Sequence, residues 1–303
     1  MMIKKINFSN FFKTANLISL VVFFLSISFI FIKGLNFGID FKGGTLIELR
    51  TIDKNIDIKE LRNLLKDLTT GDVNVKEFGN KGDFLIKIEQ TDLKDDRFIP
   101  NLKKDIKTKI QSEINFRRIE NVGPKVSAEL LQSGLIAISL SLIAMLFYIW
   151  IRFEWQFSVG SIVALVHDVV ITIGIFSILS FEINLSIIAA VLTIVGYSMN
   201  DTVVIYDRIR ENLFKYNRIK IEEIADLSIN ETLSRTIITS ITTLLALFSI
   251  FILGGEILKG FSFAMILGVL IGTYSSIFVA SPILKYLKVS YSTMQKEEEK
   301  IVP

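Results

Sequence analysis

The hydrophobic positions of this chain gather into long, nearly unbroken runs. A helix crossing a bilayer core about 30 Å thick needs roughly 20 apolar residues. Six stretches meet that requirement: Thr14–Ile32, Gly134–Ile151, Phe157–Leu179, Ile183–Tyr206, Thr236–Leu253 and Phe261–Leu284. The first run is longer than the apolar core of a secretory signal, and no small-residue cleavage site follows it, so it reads as an uncleaved anchor.

Between the first two runs the pattern changes. Residues 45–52 alternate apolar and polar like a strand. Asp57 and Glu60 then precede apolar positions at helical spacing, an N-terminal capping signal. Residues 73–78 and 83–90 alternate around Gly79-Asn80-Lys81-Gly82, which predicts a hairpin. A charged helix is predicted over Pro100–Ile114, and 115–122 reads as a final strand. The order β-α-β-β-α-β is the ferredoxin-like arrangement. The expected fold class is a membrane all-α bundle of six helices with an inserted α+β ferredoxin-like extracytoplasmic domain.

Composition sharpens this division. Of 303 residues, 50% are hydrophobic, and the mean hydropathy is +0.50. Residues 34–132 carry 18 Lys/Arg and 17 Asp/Glu, whereas the remaining 204 residues carry only 16 and 14. The expected domains are 1–33 (cytoplasmic start and first span), 34–132 (soluble insert), 133–288 (five spans) and 289–303 (cytoplasmic tail). With no cysteine there is no disulfide, thiolate metal site or cysteine nucleophile. A net charge of +3, dispersed along the chain, does not suggest nucleic-acid binding. Six spans put both termini on one side. That side collects fourteen Lys/Arg in short loops and flanks, and the other side only Lys33 and Lys259. The positive-inside rule therefore predicts cytoplasmic termini and an insert outside the cytoplasm.

The chemistry lies in polar residues within the runs. His167 and Asp168 sit near the middle of the third, where Ser161, Ala164, Asp168 and Thr172 share a face. The fourth places Thr193, Tyr197, Asn200 and Asp201 on one stripe, and the fifth repeats the spacing with Arg235, Thr239, Thr242 and Thr243. Hydroxyls commonly bond helix to helix, and an arginine near a span's end can snorkel to the interface. A mid-membrane carboxylate is harder to explain, since it costs roughly 2.5–3.5 kcal/mol on insertion scales. What it adds over a neutral amide is a proton that can come and go. Burial disfavours the charged form and a nearby guanidinium favours it, so Arg235 moving relative to Asp201 would change proton affinity. The sixth run has a small residue at every fourth position: Gly260, Ala264, Gly268, Gly272, Ser276 and Ala280. The second has Ser133, Ala137 and Ser141. Both predict close helix contacts, among these helices or with another subunit.

Several motifs, in order along about residues 34–284, resemble the SecD/SecF family of bacterial protein-export membrane proteins. IVGYSMNDTVVIYDRIREN (194–212), with Asp207 and Arg208, is similar to the family's fourth-span signature. SRTIITSITT (234–243) is similar to its fifth. GIDFKGGT (38–45), with Gly38, Asp40, Phe41, Gly43 and Gly44, resembles the FxGG element. VGPKVSAEL (122–130), with Gly123 and Pro124, and His167-Asp168 within HDVVITIGIF resemble further motifs. The resemblance implies the SecF branch, one RND-like six-helix half that works with a homologous SecD-like subunit. It also implies association with the SecYEG channel and a YajC-like small subunit, and action on a translocating unfolded preprotein. The location implied is the bacterial inner membrane, and the energy source the proton-motive force. The family's essential intramembrane Asp falls on Asp201 and its partner Arg on Arg235, the pair that burial also selects, with Asp168 and His167 a second pair. Tyr197, Asn200, Thr239, Thr242 and Thr243 are the candidate polar pathway. No cofactor and no metal are expected, protons being the coupling ion, although Na⁺ would also suit a carboxylate. Gly43 and Gly44 could serve only to turn the chain as it leaves the membrane. The rival readings are an RND-type small-molecule efflux subunit and a non-transporting assembly scaffold. The chain has one small soluble insert and lacks a second large domain to form a drug-binding porter. No phosphate loop or nucleophile motif is present, so an enzyme is not expected.

Overall fold

The computed structural model describes residues 6–51, 56–68, 71–77, 79–89, 98–110, 113–216 and 218–294. Ile52, Phe78 and Gln90, expected as strand ends, lie outside these residues, as do Lys4, Lys5 and the tail from 295 onward. The chain divides into two compact units. One is helical and comprises the residues up to Leu35, Ile136–Phe181 and those from Ser186 on. The other comprises Asn36–Leu135 together with Glu182–Leu185.

In the helical unit a short 3-10 turn, Phe8–Phe11, leads into α1 (Phe12–Lys33). The second unit opens with β1 (Asn36–Phe37), a one-turn helix α2 (Ile39–Lys42) and β2 (Gly44–Thr51). It continues with α3 (Ile58–Leu68), β3 (Val73–Glu77), β4 (Asp83–Ile88), α4 (Phe98–Lys109) and β5 (Ile114–Val122). The Asp57 carboxylate accepts from the Lys59 amide at 3.0 Å, the cap that the sequence suggested for α3. The charged helix is shorter than expected. It ends at Lys109, and Ile114, expected as its last residue, opens β5. The four longer strands form one sheet in the order β3-β4-β2-β5, with every neighbouring pair antiparallel.

The period of two sorts this sheet's faces. Ile47, Leu49, Val75, Phe84, Ile86 and Ile88 point to one side and pack with Leu61 and Leu65 of α3 and Leu102 and Ile106 of α4. Each such side chain contributes about 1.5–3 kcal/mol when fully buried. The other face carries charges. Arg50 grips Asp83 through Nε and Nη2 at 2.5 and 2.6 Å, and Arg117 lies 3.6 Å from Asp83 and 3.8 Å from Glu48. The Arg50 hydrogen bond holds the buried Asp83 carboxyl below the usual carboxylate range.

The remaining helices are α5 (Pro124–Arg152), α6 (Trp155–Leu179), α7 (Leu185–Lys215), α8 (Ile221–Leu253) and α9 (Gly255–Ser275). Between α6 and α7 lies β6 (Glu182–Ile183), which pairs parallel with β1. A π-helical turn, Ser276–Ala280, carries α9 into α10 (Ser281–Tyr286). Pro282 cannot donate to the ladder, and the Tyr206 hydroxyl bonds the Ala280 carbonyl at 2.9 Å. Among the described residues, six helical segments are long and apolar enough to cross a membrane: Phe8–Lys33, Pro124–Arg152, Trp155–Leu179, Leu185–Lys215, Ile221–Leu253 and Leu258–Tyr286. The second, fourth and fifth overshoot the apolar runs, because polar ends can extend a helix beyond the bilayer. Pro124 opens α5, where its missing N–H costs nothing, which accounts locally for the Gly123-Pro124 pair.

Candidate functional site

Among the described residues of the helical unit, two aspartates lie buried. Asp168, on α6, is fully buried, and Asp201, on α7, is 3% exposed. The approach of α9 to α7 puts both within reach of hydroxyls. Gly268 sits against Ile194 and Gly272 against Ser198, where an added Cβ would come 2.9 Å from the serine's own Cβ. The ladder of small residues read from the sequence therefore includes the contact surface of α9 with α7.

The two acids are held differently. Asp168 Oδ2 accepts from Ser198 Oγ at 2.6 Å and from Ser275 Oγ at 2.7 Å, while its Oδ1 lies 2.9 Å from His167 Nδ1. Three helices thus meet on one carboxylate, and the Asp168 carbonyl takes a further bond from Thr172 Oγ1 at 2.8 Å. Asp201 Oδ2 receives only Thr273 Oγ1, at a long 3.4 Å, among the described residues. Thr273 is in turn 2.7 Å from Ser240 of α8. Arg235 lies within electrostatic reach of Asp201, but among the described residues no ion pair joins them. Arg235 is exposed, fourteen residues into α8.

The expected polar pathway is only partly gathered. Tyr197 donates to Thr243 Oγ1 at 3.3 Å and links α7 to α8. Asn200 and Thr193 are exposed on the outward side of α7. Thr239, Thr242 and Thr243 return their hydroxyls to carbonyls one turn back on their own helix, at 2.9–3.1 Å. Asp207 pairs with Arg152 at 2.9 Å. Arg208 bridges Glu211 and Glu231, each at 2.6 Å, and Asn212 also donates to Glu231, at 2.8 Å, so that α7 and α8 are tied together. On α5, Ser133 is exposed, and Ala137 and Ser141 are half-buried.

Sequence reasoning missed Ser198, Ser240, Thr273, Ser275 and Glu231. Ser198 stands three residues before Asp201, hence on the same helix face, a signal that was available. Thr273 and Ser275 follow Gly272, but nothing in their spacing names the acid that each meets. Among the described residues no group of His, Cys, Asp and Glu is arranged to hold a metal ion.

Residues 102–290 match the family described as "Protein export membrane protein SecD/SecF, C-terminal", and residues 28–51 match the "SecD/SecF GG Motif". A protein of Rickettsia felis named Protein translocase subunit SecF is 45% identical over 282 residues, covering 92% of this chain and 90% of the relative. The protein of the same name from Cereibacter sphaeroides is 42% identical over 275 residues, covering 88% of this chain and 84% of its own. Among solved structures, SecDF from Thermus, described as a translocon-associated membrane protein, superposes with a TM-score of 0.83 at 35% identity. The match covers 94% of this chain and 39% of that one. SecDF in a super-membrane-facing form matches with a TM-score of 0.71 at 33% identity, covering 100% of this chain and 41% of the other. The two spanning carboxylates, the GG element and the six apolar helices therefore sit in a chain that belongs to the SecD/SecF family of protein-export membrane proteins, on its SecF side.

Proposed function

We propose that this chain is a SecF-like accessory subunit of the Sec preprotein translocase. With a SecD-like partner it uses the proton-motive force to promote late stages of export across the inner membrane. Its termini are cytoplasmic, and residues 34–132, with the return segment Glu182–Leu185, form a ferredoxin-like domain on the periplasmic side. The strand order β3-β4-β2-β5 and the two helices on one sheet face support that assignment. SecYEG, a YajC-like subunit and an unfolded preprotein are the proposed associates.

The observation that carries the coupling reading is the contrast between the two buried acids. Asp168 has three short contacts: Ser198 and Ser275 donate to Oδ2, and His167 Nδ1 lies against Oδ1. Asp201 has one long bond and a guanidinium nearby that balances it when ionised. A loosely held carboxylate exchanges a proton with little rearrangement, whereas a tightly held one serves as a pin. Asp201 is thus the proton site, Arg235 its counter-charge and Asp168–His167 the fixed point beside it. Arg235, Asn200 and Thr242 are exposed on spanning helices. Lipid is a poor environment for such groups, so the SecD-like partner covers that face, and the route past Tyr197, Thr239 and Thr243 is completed there. The driving energy is about 2.3 kcal/mol per charge per 100 mV.

Asp201→Asn keeps the shape and removes the exchangeable proton. Gradient-stimulated export and proton conduction should both fail in membrane vesicles while the variant still co-purifies with its partner. Normal export by Asp201→Asn would favour the scaffold reading instead.

A further inference from the structure

The connection between α6 and α7 is far more elaborate than a hairpin of spanning helices needs. Only five residues, 180–184, separate the two helices; the last three of them, with Leu185 at the start of α7, belong to the α+β unit. Asn36 and Phe37 pair in parallel register with Glu182 and Ile183, and the Gly38 amide donates to the Ile183 carbonyl at 2.8 Å. Asp40 Oδ2 accepts from the Leu185 amide, the first N–H of α7, at 2.8 Å. That amide has no partner within its own helix, and a carboxylate at a helix N-terminus is favoured by the dipole as well. Glu182 is ion-paired with Lys87 of β4, a central strand of the four-stranded sheet. Gly38 leaves the room for this: a Cβ there would come 2.5 Å from the Glu182 carboxylate oxygen and 3.3 Å from Asn184 Cβ. The Ile39 carbonyl is fixed in turn by Ser127 Oγ at 3.3 Å.

The GG element is therefore more than a turn. Gly43 and Gly44 have φ of 82° and 130°, which favour glycine, and at the end of α2 and the start of β2 they pass the chain from its contact with residues 182–185 straight into the sheet. The connection from α6 runs directly into the helix that carries Asp201, sixteen residues after Leu185. At 1.5 Å per residue that is about 24 Å of continuous helix.

We propose that Gly38, Asp40, Lys87 and Glu182 form a clamp that fixes the leading end of α7 to the β-sheet of the α+β unit, so that movement of the Asp201 helix is passed to that unit. Asp40 and Glu182 are positioning residues: they touch no proton carrier and act through the helix. The inference rests on the reading of Asp201 as the proton site. It adds the route by which the intramembrane event reaches the soluble domain. The five-residue connection has little slack, so an axial shift or rotation of α7 must either move the sheet or break the Asp40 and Glu182 bonds.

The test uses the full chain with its SecD-like partner in membrane vesicles under an imposed proton gradient. The variants are Asp40→Ala, Glu182→Gln, Gly38→Ala and the exchanged pair Lys87→Glu with Glu182→Lys, with Asp201→Asn run alongside. Gradient-stimulated export should fall about five-fold or more in the first three, the low end of ordinary coupling between two sites. Proton conduction should persist in those variants, and the exchanged pair should recover export. Unchanged export in Asp40→Ala and Glu182→Gln, with loss in Asp201→Asn, overturns the clamp and leaves the Asp201 reading standing. Joint loss of export and conduction, or no recovery in the exchanged pair, also overturns it, because the residues would then serve folding alone. Unimpaired export in Asp201→Asn overturns the Asp201 reading, and the clamp falls with it.

Discussion

Removing the Ser275 hydroxyl tests whether Asp168 is a pin. In Ser275→Ala the acid loses its 2.7 Å bond and keeps Ser198 at 2.6 Å and His167 at 2.9 Å. A hydrogen bond to a charged group is worth about 1.5–3 kcal/mol. A neutral bond between spanning helices averages only about 0.6 kcal/mol and reaches about 1.7 at most. The two cases are far enough apart to measure. A double-mutant cycle of Ser275→Ala with Asp168→Asn isolates the pair term, since the amide preserves the volume. Unfolding would be followed by denaturant titration in detergent micelles. The expected coupling is about 2 kcal/mol, with the double variant less destabilised than the two single changes added together. A coupling below about 0.5 kcal/mol would refute the reasoning, because α9 would then be held by its packing on Ile194 and Ser198 and not by the acid.

Gly268→Leu should destabilise the helical unit by about 1–3 kcal/mol, seen as a lower Tm in detergent, because Ile194 occupies the space. Gly44→Ala should cost about 1–3 kcal/mol and raise amide exchange in β2 and β4. The residue has φ of 130°, and its Cβ would press on the Ile88 carbonyl, which is backbone and cannot rotate away. Asp83→Asn should weaken the α+β unit by about 1.5–3 kcal/mol. With Asp83 held below its ordinary range, its contribution is complete above the usual carboxylate pKa and fades as pH falls through the lowered value. Acid titration of wild type and variant should therefore converge. Lys87 has the opposite sense. Burial first, then the like charges of Lys76 and Lys42, push its ammonium down to about 8. The unfolded chain thus binds more protons than the native one between about pH 8 and 10.4, and stability from this group rises with pH across that window. Lys87→Met should flatten the rise, measured as exchange protection of β4 amides corrected for intrinsic rates. Equal slopes in the two proteins would count against it.

Much of the architecture was legible along the chain because it depends on local periodicity. Unbroken apolar runs gave the six spans, alternation gave the strands, and the cost of charge in lipid picked out Asp168 and Asp201 before any contact was known. The element order of the insert also followed, apart from the end of α4 and the one-turn helix Ile39–Lys42, which is too short to impose a pattern. Which hydroxyl meets which acid was not legible. Ser198, Thr273 and Ser275 are three of many hydroxyls, and their partners depend on how far α9 approaches α7 at Gly268 and Gly272 and how each helix is rotated. The two-residue pairing of β1 with β6 joins positions nearly 150 residues apart, and no local pattern records so distant a neighbour. The sequence by itself determined where the chain crosses the membrane and which acids are buried there. Only the tertiary structure decided that one acid is held by three short contacts and the other by a single long one, and that α7 begins inside the α+β unit, because both depend on contacts between segments whose separation along the chain leaves no periodic trace.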